Sequence, residues 1–485
     1  MARKISPLDI YPYLPDTCEE LFQTSKMAIA TQLAGRKLKL KEIKEIYSKL
    51  PPEFMQKYAA IEELLKPAIC EIEIGTGEKK VTIGGDDVMF RHTLSFYNKP
   101  PIAVDVWDTM SDAELEERID RIQSFQKFYV GAFLRLDMIA VRSISGNPKT
   151  FGKFVQKITV QSDLPLILCT KNSEIMRAGL EAADGLNPLM YACDAANRKE
   201  MTKLALEYDV PVVVSANGDL DVLKSLSATL QSDGVSKIIL DPGTSGFGPN
   251  FKNIFQRFIM IRKAGLDGDS DLAFPMLALP IAVRKDGKAA AAVKTGLSAD
   301  VTADYLETVT AASLTIRYAD IMIIHGLEGH ELLPLVHAAD MIYIDPRTPS
   351  SVEPKLYEIG TPGKSSPVLF TTNFALTYYT VESDLASAAF NGYVLAVNTG
   401  GLGVEAAVAG GQLTAEGIKQ NFENAAFDFD KFTDHNTLII PGLAARLQSG
   451  IEKAMGVSTL VGPMDSGRLP KWLEENWPPQ NGGKK

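Results

Sequence analysis

The alternation of short apolar runs with helical stretches is the feature that most constrains the fold of this chain. Between about residue 100 and residue 325, eight β-branched or apolar runs recur, and a helical stretch follows each. These runs are residues 102–106, 138–142, 166–169, 189–192, 212–215, 237–240, 276–279 and 320–324. Continuous apolar strands separated by helices are typical of a parallel sheet covered on both faces. Eight sequential units favour one (β/α)8 TIM barrel over a doubly wound sheet.

Polar residues or turns follow the predicted barrel strands. The carboxyl ends of barrel strands usually carry the chemistry of such folds, but helix caps and loops use the same residue types. A capping box at 111–114 also predicts a helix over 111–128. The polar residues at the strand ends are Asp108, Ser143, Thr170, Asp194, Asn217, Asp241 and His325.

A second and smaller α/β pattern follows a stretch rich in Pro, Ser, Thr and Gly at 346–366, which we interpret as a linker. Strands are predicted at 368–372, 393–397, 437–440 and 459–461. This pattern predicts a small Rossmann-like open sheet with loops collected at the strand ends. The expected domains are a helical N-terminal segment (1–65), the barrel (66–350) and a C-terminal α/β domain (351–485).

Composition excludes several classes of protein. With 50 Lys and Arg against 60 Asp and Glu, the net charge is −10, which argues against a general nucleic-acid binder. Four scattered cysteines cannot build a disulfide framework. The sequence shows neither an N-terminal apolar core typical of a signal peptide nor an apolar run long enough for a membrane span. We expect a cytoplasmic protein that binds neither nucleic acid nor membrane.

The common catalytic motifs are missing from the sequence. Neither a phosphate-binding G-x-x-x-x-G-K-[ST] loop nor a G-x-S-x-G nucleophile elbow occurs. The run HGLEGHE at 325–331 resembles a metal cluster, but its spacing matches no zinc motif and two glycines interrupt the helix that such ligands need. We therefore predict no catalytic side chain and no metal site built from side chains.

The strand ends of the second module form the strongest candidate site. They carry TTNF (371–374), NTGGLGV (398–404), IPGL (440–443) and VGP (461–463). Small residues let a large flat ligand approach the backbone, whose N–H groups can hold amide or phosphate oxygens. Four ordinary turns are the alternative interpretation, and spacing alone does not name a ligand.

The amino-acid sequences of these motifs resemble those of one known family. VLFTTNFALTYYTVESDL (368–385), YVLAVNTGGLGV (393–404), LIIPGLAARLQSGIE (438–452) and LVGPMDSGRLPKWL (460–473) resemble the cobamide-binding module of the corrinoid iron–sulfur protein large (gamma) subunit. That subunit is the methyl carrier of the acetyl-CoA pathway. The resemblance extends to 11–40, 86–108, 237–244 and 340–360, and therefore covers nearly the whole chain.

The resemblance implies a function and a cofactor. It implies a methyl carrier that accepts a methyl group on Co(I) of a cobalamin-type cobamide, bound base-off with no protein ligand to cobalt. It also implies a heterodimer with a second TIM-barrel small subunit, a methyltransferase that loads the methyl group, and an acceptor enzyme. The sequence agrees, because it lacks the D-x-H-x-x-G signature that supplies a cobalt-ligating histidine in the common cobalamin modules.

The candidate cofactor-binding residues come partly from the strand ends and partly from the resemblance. The resemblance places Thr372 and Tyr378 against the corrin, residues 402–405 at the nucleotide tail or ring edge, and Gly462 at a close backbone contact. The chain departs from the family at 398–401 and at Glu405. The full predicted set is Thr371, Thr372, Asn373, Tyr378, Asn398, Thr399, Gly400, Leu402, Gly403, Val404, Glu405, Pro441, Gly442, Gly462 and Pro463.

A second departure concerns the N-terminal segment, which holds an iron–sulfur cluster on four cysteines in the family. Here only Cys18 remains, and Leu21, Lys26 and Ile43 stand near the other three positions. One thiolate cannot hold a four-iron cluster. We therefore expect a paralogue without the iron–sulfur cluster, whose cobalt is reduced by an external reductive activator.

Two alternatives remain open at this point. The chain could itself be a methyltransferase whose barrel binds a methylated pterin or other methyl donor, and then Asp108, Asn217 and Asp241 would matter. The altered NTGGLGVE loop also allows a structural subunit that has lost the cofactor.

Overall fold

A computed structural model describes residues 5–18, 21, 25–36, 38, 40–90, 96–244, 251–285, 298–343 and 349–478. The chain divides into two compact units. The first comprises residues 1–126 and 135–343, and the second comprises residues 127–134 and 344–485. In the described part of the chain, none of the helices combines the length and the apolar composition that a membrane span requires.

The regular elements are numbered in chain order. The helices are α1 (Pro7–Ile10), α2 (Lys26–Ala34), α3 (Leu40–Ser48), α4 (Pro52–Leu65), α5 (Asp112–Ser124), α6 (Pro148–Gln161), α7 (Ser173–Ala182), α8 (Arg198–Tyr208), α9 (Leu220–Ser232), α10 (Phe251–Leu266), α11 (Ala299–Ile316), α12 (Gly329–Tyr343), α13 (Ala375–Ser387), α14 (Val404–Ala409), α15 (Ala415–Asn424), α16 (Phe429–Phe432), α17 (Gln448–Met455) and α18 (Leu469–Asn476). The strands are β1 (Ile72–Ile74), β2 (Val81–Ile83), β3 (Ile102–Trp107), β4 (Gln126–Tyr129), β5 (Ala132–Arg135), β6 (Met138–Arg142), β7 (Leu166–Cys169), β8 (Leu189–Cys193), β9 (Val212–Ser215), β10 (Ile238–Asp241), β11 (Leu277–Ala278), β12 (Ile321–Ile324), β13 (Leu356–Ile359), β14 (Val368–Thr372), β15 (Gly392–Val397), β16 (Thr437–Ile440) and β17 (Ser458–Val461).

The first unit contains a nearly closed barrel of eight parallel strands. Strands β3 and β6 to β12 pair in chain order, and β12 returns to pair with β3. A parallel bridge between Leu240 and Met276 joins β10 to the strand that follows. The α/β barrel predicted from the sequence is therefore confirmed, because sequential parallel pairing that returns to its first strand forms a barrel rather than an open sheet.

Two expectations about connecting segments were wrong. The helix predicted over 111–128 starts with its capping box, in which Ser111 and Glu114 bond reciprocally, but it ends at Ser124. A short antiparallel hairpin, β4–β5, follows it. The predicted linker at 346–366 likewise contains β13, which pairs antiparallel with β15.

The second unit contains a five-stranded sheet in the order β13-β15-β14-β16-β17. Its parallel strands are the four predicted from the sequence. Apolar side chains pack on both faces of this sheet. One cluster holds Phe370 with Val404 and Ile418. The other holds Leu369 with Tyr378 and Leu469, so α13 and α18 lie on the face opposite to α14 and α15.

A buried ion cluster lies beside the amino ends of β11 and β12. The side chain of Arg262, on α10, is fully buried, and its guanidinium pairs with Asp86 and Asp320. Asp320 Oδ2 lies 2.6 Å from Arg262 and also accepts a hydrogen bond of 2.7 Å from Met276 N. Burial raises the pKa of Asp86 to about 6, while Arg262 acts to lower it. One cation therefore balances two carboxyl groups inside the first unit.

Replacing this cation should destabilise the protein strongly. We expect Arg262→Met to lower the free energy of unfolding by about 3–5 kcal/mol at pH 8, because two buried carboxylates lose their partner. The pKa values of both carboxyls then rise further. The loss should therefore shrink as the pH falls towards 5 and the carboxyls take up protons. Urea denaturation at pH 8 and at pH 5 measures the free energy of unfolding of the variant and of the wild type.

Arg177→Met, which breaks an exposed pair with Glu207, is the matched control and should change the free energy of unfolding little. A loss that does not depend on pH would contradict the account.

Candidate functional site

The carboxyl edge of the sheet in the second unit has a break in its pairing. Strands β14 and β16 pair only through Val368–Leu438 and Leu369–Ile439, whereas β14 pairs with β15 along its whole length. The order of the parallel strands, β15-β14-β16-β17, reverses direction between β14 and β16. Open α/β sheets bind their ligands at such a reversal point, outside the carboxyl ends of the strands.

A cavity of about 470 Å³ lies at this point. That volume is within the range of small-molecule sites, which are mostly apolar with a few polar groups. Strand ends, one side of α13 and the loop after β17 form its wall. The lining residues are Leu369, Phe370, Thr371, Leu376, Thr377, Thr380, Val381, Val404, Ile439, Ile440, Pro441, Leu443, Gly462, Pro463, Met464, Asp465, Ser466 and Leu469.

Two glycines let the loops after β16 and β17 approach each other closely. A Cβ atom added to Gly442 would lie 2.8 Å from the carbonyl oxygen of Gly462 and 2.9 Å from the backbone nitrogen of Met464. Gly442 N donates to Pro463 O over 3.1 Å, and Gly462 N donates to Ile440 O over 2.9 Å. The small residues predicted at these strand ends therefore bring two backbone segments together beside the cavity.

Asn373 organises the neighbouring loop at residues 398–403. Its Oδ1 accepts hydrogen bonds from Thr399 N at 2.9 Å and from Gly401 N at 3.1 Å. The Thr399 hydroxyl donates to Leu402 O over 2.8 Å. Gly400 and Gly401 have φ values of +68° and +79°, which favour glycine. Asn373 and Thr399 are both buried, and their contacts shape the loop rather than the cavity wall.

The structure brings only some of the predicted site residues together at the cavity. Those that line it are Thr371, Val404, Pro441, Gly462 and Pro463. Those that do not are Thr372, Asn373, Tyr378, Asn398, Thr399, Gly400, Leu402, Gly403, Glu405 and Gly442. The Thr372 hydroxyl is buried and makes no hydrogen bond among the described residues. Binding by any member of either group stays a prediction.

Tyr378 lies on another side of α13 from the cavity. Its hydroxyl donates to Glu382 Oε1 over 3.2 Å, and its ring centroid lies 4.4 Å from that of Tyr357. Burial, followed by the nearby Glu382 carboxylate, raises its pKa well above the ordinary value for tyrosine. The helix turns this ring into the apolar cluster that also holds Leu369 and Leu385, and its predicted contact with a corrin stays a prediction.

Sequence reasoning missed the helical wall of the cavity and part of its rim. Four missed residues share one side of α13, and their spacing of i, i+1, i+4 and i+5 was the available signal. Four more follow β17, and the remaining five lie on β14 and β16 or shortly after β16. The missed lining residues on α13 and after β17 are Leu376, Thr377, Thr380, Val381, Met464, Asp465, Ser466 and Leu469.

The carboxyl edge of the barrel holds a second group of polar side chains, centred on Asp105. Its Oδ1 lies 2.9 Å from Arg118 and 2.7 Å from His325 Nδ1, and its Oδ2 lies 2.6 Å from Arg142. Burial alone would raise the pKa of Asp105. The hydrogen bond with His325 and the two guanidinium groups outweigh burial and lower it.

Two barrel residues of the methyltransferase alternative, Asp108 and Asp241, are engaged by hydrogen bonds within the fold. Asp241 accepts hydrogen bonds of 2.9 Å from Tyr191, Ser215 and Gly243 N, and burial raises its pKa. Asp108 accepts from the backbone of residues 144 and 145. Asn217 is exposed in a left-handed turn with φ +51°. All three residues stay candidates for the methyltransferase alternative.

Comparisons with known proteins establish the family. Residues 71–473 match the family model described as CO dehydrogenase/acetyl-CoA synthase delta subunit. The chain is 51% identical over 476 residues to acetyl-CoA decarbonylase/synthase complex subunit gamma 2 of Methanosarcina thermophila, covering 98% of this chain and 99% of that protein. The gamma subunit of Archaeoglobus fulgidus is 46% identical over 482 residues, with the same coverage of both chains. This chain belongs to the acetyl-CoA decarbonylase/synthase gamma-subunit family.

The family assignment confirms the resemblance seen in the motifs. Because the two relatives described above are both named gamma subunits, we use that name for the family. Dihydropteroate synthase of Yersinia pestis aligns with 50% of this chain and 93% of its own length, with a TM-score of 0.37 and 14% identity. That similarity is too low to indicate function.

The N-terminal segment of this gamma-family chain has an apolar core. Cys18 and Ile43 are both fully buried in one cluster with Ile29 and Tyr47. Lys26 Nζ instead lies 2.6 Å from Asp16. All four cysteines are free thiols. Among the described residues, no three His, Cys, Asp or Glu side chains are arranged to hold a metal ion.

Removing the Asn373 amide should loosen the loop beside the cavity. We expect Asn373→Ala to lower the free energy of unfolding by about 1–3 kcal/mol, because two backbone N–H groups lose their acceptor. Hydrogen exchange at Thr399 and Gly401 should accelerate. The matched control is Asn398→Ala in the same loop, whose exposed side chain accepts a hydrogen bond from Gly400 N. Equal effects of the two substitutions on exchange would show that Asn373 does not organise the loop.

Proposed function

We propose that this chain is a cobamide-dependent methyl carrier whose second unit binds the cofactor at the cavity between β14 and β16. The observation that supports this most directly is the apolar cavity at the strand reversal, in a chain of the gamma-subunit family. The relatives are named as subunits of an acetyl-CoA decarbonylase/synthase complex, a name that fits transfer of a one-carbon group between partners.

The chemistry of the cavity fits part of a cobamide. A corrin ring with its nucleotide is much larger than this cavity, so we propose that the cavity takes the nucleotide tail and that the ring lies over the strand ends. Beyond Leu369 the backbone of β14 has no register partner on β16. Phe370 and Thr371, which follow this point on β14, line the cavity together with Gly462.

Polar groups at the cavity suit the amide and hydroxyl groups of the nucleotide tail. Thr377 and Thr380 contribute hydroxyls from α13, and Asp465 and Ser466 contribute oxygens from the loop after β17. In its reduced state a cobamide supplies a nucleophilic cobalt that accepts a methyl cation equivalent. The residues of this chain would bind and orient the cofactor and exclude water from its tail.

We propose base-off binding without a protein ligand to cobalt. The described lining contains neither histidine nor cysteine. His435, in the same unit, is engaged elsewhere: its Nε2 lies 2.9 Å from Ser366 O, and its ring packs 4.7 Å from that of Trp477. Because His435 is engaged there, the lining residues would hold the cofactor without an imidazole on cobalt.

We also propose the organisation and partners that the family assignment implies. The N-terminal segment (1–65) carries no iron–sulfur cluster, the barrel (66–350) serves as scaffold and docking surface, and residues 351–485 bind the cobamide. The partners would be a second TIM-barrel small subunit, a methyltransferase, an acceptor enzyme and an external reductive activator. A cytoplasmic location follows from this set of partners.

Cofactor loading tests the proposal. The full chain, purified anaerobically with and without its small subunit and incubated with cobalamin, should bind cobalt near one per chain with a base-off visible spectrum. Metal analysis should find no stoichiometric iron. Failure to bind cobalt even with the small subunit would contradict the carrier function. Methyl transfer to bound Co(I) by this chain alone, without an added methyltransferase, would support the methyltransferase alternative instead.

Filling the cavity from α13 should prevent cobamide binding. Thr380 is an exposed lining residue, so a larger side chain there can enter the cavity without disturbing the core. We expect Thr380→Trp to raise the Kd for cobalamin at least about tenfold, which corresponds to about 1.4 kcal/mol. Ser383→Trp, on an exposed position of the same helix outside the lining, is the control and should bind like the wild type. Unchanged binding by the Thr380 variant would exclude this cavity as the cofactor site.

A further inference from the structure

The hairpin β4–β5 belongs to the second unit although its sequence lies inside the barrel. The chain leaves the first unit after Gln126, runs through residues 127–134 within the second unit, and re-enters the first at Arg135. We call residues 127–134 the docking hairpin. The C-terminal unit is therefore discontinuous in sequence, and residues 344–485 alone lack one of its parts.

The turn of the docking hairpin contains a valine in a backbone conformation that valine rarely adopts. Val130 and Gly131 have φ values of +43° and +85°, as a two-residue type I′ turn requires. A β-branched residue rarely adopts a left-handed conformation, and asparagine is the usual choice at this position. The Val130 side chain packs against the apolar cluster that contains Leu385 and Leu473. The contact of Val130 with this cluster, rather than the preference of the turn for asparagine, therefore accounts for valine at this position.

Aromatic contacts attach the docking hairpin to α13. The Phe128 ring lies 5.4 Å from that of Tyr379 at 78°, and 5.3 Å from that of Phe133. Gly131 approaches the same tyrosine so closely that an added Cβ atom would lie 2.5 Å from the Tyr379 ring. Tyr379 in turn packs edge-to-face on Tyr378 at 5.2 Å. Edge-to-face packing of this kind is favourable beyond the area it buries.

The helix that receives these contacts also forms one wall of the cavity. Tyr379 lies between Thr377 and Thr380 in the sequence of α13, and both of these line the cavity. We propose that the docking hairpin holds α13 against the sheet and thereby positions the helical wall of the cavity. Val130 and Phe128 are then positioning residues for the ligand, and this role rests on the proposed function for the identity of that ligand.

One substitution separates the hairpin's own stability from its docking. In the full chain, Val130→Asn creates the Asn-Gly sequence that type I′ turns prefer, but it removes the apolar contact with the second unit. We expect hydrogen exchange at residues 376–381 to accelerate about tenfold, as for a locally loosened helix, with exchange in the barrel strands unchanged. The Kd for cobalamin should rise about fivefold, with no loss of the base-off spectrum at saturation.

A second pair of variants tests the contact with Tyr379. Gly131→Ala should reproduce the faster exchange, whereas Gly146→Ala should not. Gly146 has a similar φ of +65° but no heavy atom near its added Cβ, so it controls for backbone strain. Tyr379→Phe keeps the ring and should behave like the wild type. In a Tyr379→Ala background, the added methyl group of Gly131→Ala no longer meets a ring. Gly131→Ala should then accelerate exchange at residues 376–381 no more than Gly146→Ala does.

The outcomes distinguish this inference from the proposed function. Exchange is measured without cobamide, so it tests docking even if the chain binds no cobalt and the proposed function fails. Unchanged exchange at 376–381 in the Val130→Asn variant would overturn the inference. Equal acceleration across the barrel and α13 would also overturn it, because that pattern reports general destabilisation.

Discussion

Parallel strand pairing is the constraint on which both units of this protein depend. It gathers the carboxyl ends of the parallel strands at one edge of each sheet, and the two units use that edge differently. In the barrel, Asp105 is held by Arg118, Arg142 and His325, so polar side chains satisfy one another across neighbouring strands. In the open sheet, β14 and β16 separate after two residue pairs and leave a cavity. A closed ring of strands has no reversal point, whereas an open sheet with reversed order must have one.

The sequence predicted most of the fold, because buried parallel strands are continuous apolar runs. All eight barrel runs and all four strands of the second module could be recognised in this way. The elements that were missed carry no such run. Strand β13 is an antiparallel edge strand in which only Ile359 is buried. In the docking hairpin, all four residues of β4 are exposed, and the strand follows a helix with no turn residues between them. Its Val-Gly turn also lacks the asparagine or aspartate that would have signalled a hairpin.

The candidate site was predictable at the strand ends and not on the helix. Thr371, Pro441 and Gly462 line the cavity because a strand that ends at the carboxyl edge leaves its last residues there. Along α13, however, position is set by 100° rotation per residue, so Leu376 and Thr380 reach the cavity while Tyr378 enters the core. The conspicuous aromatic of the motif, Tyr378, therefore packs in the core, whereas the neighbouring Thr377 and Thr380 line the cavity.

Helix α13 links these observations, because three of its sides make different contacts. Tyr378 and Leu385 anchor it to the sheet, Thr377 and Thr380 face the cavity, and Tyr379 receives the docking hairpin. A helix that borders a cavity lacks packing on that side, so its position depends more heavily on its remaining contacts. The hairpin supplies such contacts from a segment that is distant in sequence. Conservative changes at the hairpin therefore act on the cavity wall through α13, although no hairpin residue lines the cavity.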